Sequence, residues 1–315
     1  MNNLQNNTFD HCLHPTLSKR LVKRLEERTS LNLFGTVENG RSRILKDIQK
    51  CCSSKAKIVL ISMKLYRESY QGFIGELNQQ MGFNGRTAPK DLTAWMHKIT
   101  LKKQVVWVLL DYFDDLFNDS NIDAQYRNQS FVDKVNSLKN HSYISLICAT
   151  TNANESSFFY IDKKQITSPF LLEEQSMPSE LSYEKIRAEL DRQLEGDEYW
   201  QKMQTQNNRG QYITFIKNHP KRFSFLVYVA QQIQFQSIEE QKMPTQKKLS
   251  KWEKKFKEGK SPNLSKKIIQ GKKEAKKFLD NISSPNDSPQ NQILEKEEQK
   301  GSKMTLGVIL AISAA

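Results

Sequence analysis

"LNLFGTVENGRSRILKDI", running from Leu31 to Ile48, decides how the chain is to be read. Its first four residues suit a short buried strand. Gly35 and Gly40 then bound a turn, and "RSRILKDIQKCC" (41–52) has the spacing of an amphipathic helix. From Gly35 to Ser42 the order is G-x-x-x-x-G, then Arg, then Ser. Glycines at this spacing let the main chain curl so that successive N–H groups point inward. The helix that follows aims its positive end at the same place, which suits a phosphate. In an ordinary strand-to-helix turn the glycines would only relieve backbone strain. The strand before and the helix after tip the balance toward phosphate.

A second stretch tests the first. "VVWVLLDYFDDLF" (105–117) is an apolar run ending in Asp111. Burial alone disfavours a carboxylate there, whereas Mg²⁺ at a nucleotide's phosphates needs one. Capping of a following helix is the other explanation for Asp111. Two more runs, "KIVLISM" (57–63) and "YISLICAT" (143–150), share the continuous apolar character of strands buried on both faces of a parallel sheet. Helical patterns at 41–52, 67–81, 88–102 and 123–139 separate the runs. The alternation predicts an α/β fold in three layers. A fifth strand is expected at 169–175. Helices follow at 182–194, with Ser182 as cap, and at 212–219 and 221–235.

With these motifs in this order, residues 20–235 resemble AAA+-like and STAND-type P-loop ATPases, including the related origin-recognition ATPases. The resemblance implies a P-loop NTPase-like parallel sheet with a C-terminal helical lid and a nucleotide as ligand, ATP with Mg²⁺. The loop at 35–42 is similar to their Walker A and the Asp111 strand to their Walker B. "YISLICATTN" is similar to their sensor strand, which would bring Thr150, Thr151 or Asn152 near the γ-phosphate. "IKNHPKRFSFLVYVAQQI" is similar to a lid-helix segment, from which Lys221 or Arg222 could approach the phosphates. The nucleotide contacts so implied are Gly35, Asn39, Gly40, Arg41, Ser42, Arg43, Asn152 and Arg222, with Ser42 and Asp111 on Mg²⁺. Relatives of this kind often self-associate, although no arginine finger is evident here.

Two departures matter. Arg41 stands where such loops have Lys, and a planar guanidinium is no substitute for a compact ammonium in a tight cradle. Tyr112 stands where a catalytic Glu is common, so no evident carboxylate polarises the attacking water. Asp114 and Asp115 are the remaining candidates, one helical turn on. The expected activity is therefore a nucleotide-dependent switch with weak or no hydrolysis. The alternative is an interaction scaffold that has lost its chemistry.

The expected parts are an N-terminal arm (1–18), the α/β domain (19–180), the lid (181–240), a Lys-rich disordered tail (241–303) and an apolar end (304–315). The formal net charge is +13. Fourteen Lys against three Glu between Lys242 and Lys277 account for most of it. That segment suits nucleic-acid phosphates or an anionic membrane, with a solvated linker as the plain alternative. "MTLGVILAISAA" (304–315) is too short to span a bilayer as it stands. It reads either as a membrane anchor or as a buried or frayed helix. Four cysteines, without a C-x-x-C, suit a reducing cytosolic setting. His11, Cys12 and His14 are too few to make a metal site. The five histidines offer no nucleophile–base pair.

Overall fold

Four short apolar runs and one polar edge strand form one parallel sheet in the computed structural model. The model describes residues 9–52, 54–117, 121–161, 164–170, 172–205, 209–234 and 246–259. The strands are β1 (Leu31–Phe34), β2 (Lys57–Ser62), β3 (Val106–Asp111), β4 (Ile144–Thr150) and β7 (Glu173–Ser176), in the order β2-β3-β4-β1-β7. Every neighbouring pair is parallel, with Leu31 beside Ile147 and beside Glu173. Every residue of β3 and β4 is buried, as the unbroken apolar runs predict for central strands. A small antiparallel hairpin, β5 (Phe158–Ile161) with β6 (Lys164–Thr167), lies outside this sheet.

The sheet's two faces sort by alternation. Val106, Val108 and Leu110 of β3 face one layer with Ile144, Leu146 and Cys148 of β4. That layer is built by α3 (Tyr70–Met81), α4 (Leu92–Lys102) and α5 (Gln129–Lys139). Trp107, Leu109, Ile147 and Ala149 face the other, built by α1 (Pro15–Glu26) and α2 (Arg41–Cys52). Ser69, Asp91 and Asn128 cap α3, α4 and α5 by accepting a hydrogen bond from an amide of the first turn. Because Asn128 is the cap, α5 starts later than the 123–139 pattern suggests; Asp123 instead caps a short 3₁₀ turn.

A third core belongs to α6 (Tyr183–Gln193), α7 (Glu198–Thr205), α8 (Arg209–Lys217), α9 (Arg222–Gln234) and α10 (Gln246–Lys257). Ser182 caps α6 as expected. α7 is absent from the sequence reading; its Trp200 lies against the Arg209 guanidinium, 4.6 Å from ring centre to carbon.

Near both ends the described residues add packing to the sequence reading. The arm is not loose throughout: Phe9, Cys12, Leu13 and His14 are buried, the first two against α1 and α2 and Leu13 among the lid residues. Within the 241–303 segment, Gln246–Lys257 form α10. Leu249 and Trp252 of α10 are buried on the lid, and the Trp252 ring stacks on Tyr212 at 6.0 Å. Trp252 and Phe256 sit four residues apart, which gives α10 one apolar face. The rest of the tail and the apolar segment 304–315 lie outside the described residues. Among the described residues no helix is long and apolar enough to cross a membrane.

Candidate functional site

The carboxyl ends of β1, β3 and β4 meet at one edge of the sheet, beside the place where the strand order turns back on itself. Such crevices are where open parallel sheets take ligands. β1 delivers Gly35, β3 delivers Asp111 and β4 delivers Thr150 and Thr151.

Gly35 has φ +149°, and its amide donates to the Thr150 carbonyl at 3.0 Å. A Cβ there would lie 2.7 Å from the Met177 Cβ, so only glycine lets the chain beyond β7 approach this closely. Val37–Asn39 form one 3₁₀ turn, and Gly40 closes it at φ +85°. The Asn39 amide donates to the Thr36 carbonyl (3.1 Å) and the Gly40 amide to that of Val37 (2.9 Å). The next amides, those of Arg41, Ser42 and Arg43, open α2, whose first N–H groups have no partner within the helix.

Arg41 dominates the crevice and is fully buried. Its Nη1 donates to the Gly35 carbonyl at 3.3 Å and to Thr151 Oγ1 at 3.5 Å. Nε lies 3.5 Å from Asp111 Oδ1, Nη2 lies 3.7 Å from Asp114 Oδ1, and the carbon lies 5.3 Å from the Tyr112 ring centre. Those two ion-pair distances are too long for good hydrogen bonds. Arg41 Nε and Nη2 and Asp114 Oδ1 are accordingly buried with these long ion pairs and no well-formed hydrogen bond. Three such atoms at one point need a physical reason, and a polar ligand is one.

Burial raises the Asp111 pKa; Ser42, Arg41 and the Tyr112 amide pull against it, and Asp114 adds to the rise. Asp115 is also raised, first by burial and then by Asp114. Tyr112 adopts left-handed backbone (φ +53°), and its ring lies between Arg41 and Lys64. The other Asp114 oxygen accepts from the Thr151 amide at 2.7 Å.

The structure gathers Gly35, Gly40, Arg41, Ser42, Asp111 and Asp114 here, and sends other expected residues elsewhere. The Asn39 side chain donates to the carbonyls of Pro178 and Ser179, which anchors the loop to the chain after β7. Arg43 turns to Asp47 (3.1 Å) and Glu189 (3.4 Å), so it joins α2 to the lid. Asn152 is exposed, and its carbonyl accepts from Thr150. Arg222 donates to the Lys217 carbonyl at the end of α8. Of the three residues offered at the end of β4, Thr151 is the one that accepts from Arg41.

Other neighbours escaped the sequence reading. Leu13 seats its side chain where a Gly40 Cβ would point, 2.2 Å from that position, and its amide donates to Asp47 Oδ2 at 2.9 Å. His14 places Nε2 3.1 Å from the Asn39 carbonyl and Nδ1 2.8 Å from Lys185 Nζ. Burial, with Lys185 acting the same way, lowers the His14 pKa to about 4. Ser224 of α9 donates to Glu38 Oε2, tying lid to loop. These contacts are long in sequence, and their only local sign is His14 before the helix-opening Pro15. Among the described residues no group of three or more His, Cys, Asp or Glu could hold a metal ion.

The donors suit a phosphate with a divalent cation: a buried guanidinium, a hydroxyl beside a carboxylate, and the open amides of α2. In this conformation Asn39 and Gly40 keep their amides inside the loop. No protein-family model and no curated protein matches the chain. Among solved structures it is similar to Cdc6p from Pyrobaculum aerophilum, with 13% identity and a TM-score of 0.35, over 57% of this chain and 48% of that one. It therefore spans about half the length of that relative. It is also similar to a chain in the structure of Drosophila ORC bound to AT-rich DNA and Cdc6 (12%, TM-score 0.36, 78% and 80% covered). The corresponding complex with GC-rich DNA gives 12% and 0.36, with 78% and 82% covered. Likenesses this loose leave the site to be read from its own residues.

Proposed function

We propose that this chain is a nucleotide-binding module of the AAA+-like P-loop kind, with the nucleotide as a conformational ligand rather than a fuel. The observation that carries the reading is the cluster of buried polar atoms on Arg41 and Asp114 that are held only by long ion pairs, beside Ser42 and Asp111. The triphosphate of ATP would accept from the Arg41 guanidinium and from the first amides of α2. Ser42 Oγ and the Asp111 carboxylate would hold Mg²⁺, which supplies neutralisation of phosphate charge. Binding on these terms requires Arg41 to loosen its hold on Asp111 and the 3₁₀ turn to open.

Hydrolysis lacks a base. Tyr112 offers a phenol whose pKa burial raises, and Asp114 is engaged with Thr151 and faces Arg41. Asp115 is raised by burial and by Asp114, and it faces Lys64 and Arg67 before Arg41. Because Ser224 grips Glu38 and Arg43 grips Glu189, opening the loop would move the lid, and that movement is the switch.

One set of contacts favours the scaffold reading: Leu13 on Gly40, with the loop amides satisfied internally. A thermal scan separates the two readings. If ATP with Mg²⁺ binds, saturation at about 100 times Kd adds about 2.7 kcal/mol and raises Tm by several degrees. An unchanged Tm at millimolar ATP favours the scaffold.

For a partner we propose nucleic-acid phosphates on α10. Its six Lys and single Glu leave a strongly basic helix whose apolar face is already covered by the lid. Interfacial membrane helices need that apolar face free. Lys247, Lys251 and Lys254 are exposed on one stripe.

A further inference from the structure

We infer that Cys12 and Cys51 form a reversible disulfide that staples the segment before α1 to the end of α2 and holds the glycine loop shut. The gating half rests on the nucleotide reading above; the disulfide itself does not.

The two sulfurs lie 3.7 Å apart across 39 residues of chain. None of the four cysteines is in a disulfide. Cys148 is buried within the sheet and Cys52 within the layer beneath α1 and α2, while Cys51 is half-exposed at the end of α2. Closing the sulfurs to a bond of about 2.05 Å takes a side-chain rotation of Cys51 in a last helical turn, where the backbone frays most readily. Cytosolic disulfides of this kind are transient and redox-sensing.

The order of reaction follows from access. Burial, with Asp47 and Cys51 adding to it, pushes the Cys12 thiol up to about 12. Cys51 is therefore the group that meets an oxidant first. Its thiolate attacks one sulfur of a small disulfide R–S–S–R, forms Cys51–S–S–R and releases RS⁻. The Cys12 thiolate then attacks the Cys51 sulfur and expels the second RS⁻. The protein loses two protons and two electrons, and R–S–S–R becomes two thiols.

The consequence lies one residue on. Leu13 covers Gly40 and bonds Asp47, and His14 holds the Asn39 carbonyl. Any opening of the 3₁₀ turn moves Leu13. A covalent tie from Cys12 to α2 resists that movement, so the oxidised form should bind ATP about tenfold more weakly than the reduced form.

The test uses the full chain poised in glutathione buffers, quenched in acid, alkylated and mapped by mass spectrometry without reduction. A peptide pair joining Cys12 to Cys51, lost with dithiothreitol and absent from Cys51→Ser, supports the inference. A mixed disulfide that persists on Cys51, a Cys51–Cys52 link, or no link under oxidised glutathione overturns it. Calorimetry with ATP and Mg²⁺ on oxidised and reduced wild-type protein needs no variant. A tenfold loss on oxidation supports gating, and equal affinities overturn gating while leaving the nucleotide site intact. Binding by neither form overturns the nucleotide reading, and gating with it, while the mapped disulfide stands.

Discussion

Replacing Arg41 with Met removes the one cation buried between Asp111 and Asp114 while keeping much of the side-chain volume. Asp111 is only 6% exposed, and burial already raises its pKa against the pull of Arg41. Breaking a buried pair by deleting one partner costs about 3–5 kcal/mol, because the other charge is left uncompensated. The Arg41 contacts with Asp111 and Asp114 are 3.5 and 3.7 Å long, which places the expected loss at the lower end, about 3 kcal/mol. For a chain of 315 residues that lowers Tm by about 4–5 °C. Urea unfolding followed by tryptophan fluorescence reads the loss directly. Adding Asp111→Asn should return about 1–3 kcal/mol, since the stranded charge is gone. The pH dependence supplies a signed check. In Arg41→Met the Asp111 pKa rises further above its unfolded value, so the native state holds the extra proton. Stability is then greatest at low pH and falls more steeply than in wild type as pH rises through the carboxylate range. A variant within about 1 kcal/mol of wild type at neutral pH would show that Arg41 is not the buried partner described here.

Gly40→Ala should cost about 1–2 kcal/mol for left-handed backbone, and more because the new Cβ meets Leu13. In a Leu13→Ala background only the backbone part should remain; an equal cost in both backgrounds would refute the contact. His14, lowered to about 4, is neutral in the folded chain and protonates in the unfolded one below the usual histidine value. Its contribution is thus lost as pH falls from about 6.5 to about 4. His14→Gln should flatten denaturation curves across that window, and an unchanged slope would contradict the burial. Changing Lys247, Lys251 and Lys254 together to Gln should weaken retention on single- or double-stranded DNA and reduce its salt slope by about two to three. Binding to anionic vesicles but not to DNA would assign the helix to a membrane.

The parts of the fold that sequence exposes are those with one dominant physical cause. β3 and β4 are buried on both faces, so their apolar runs are continuous, and β1 and α2 follow the glycine pattern to the residue. The β5–β6 hairpin is less visible because β6 is exposed throughout and carries no apolar alternation. α10 hides behind its lysines, and only Leu249, Trp252 and Phe256 mark a buried face. Local spacing brings Arg41, Ser42 and Asp111 to the site. It does not foresee where the side chains of Asn39 and Arg43 go, because their partners at Pro178, Ser179 and Glu189 lie more than a hundred residues away. Leu13 on Gly40 is invisible for the same reason, and it is the contact that shapes the loop.

Isothermal titration of the reduced full chain with ATP and Mg²⁺, repeated on Ser42→Ala and Asp111→Ala, tests the central claim most directly. The account predicts one site in wild type, weaker binding in both variants when Mg²⁺ is present, a smaller difference when it is chelated, and negligible phosphate release at saturation. Absence of binding in folded wild-type protein at millimolar ATP, or rapid turnover with Tyr112 in place, would contradict it.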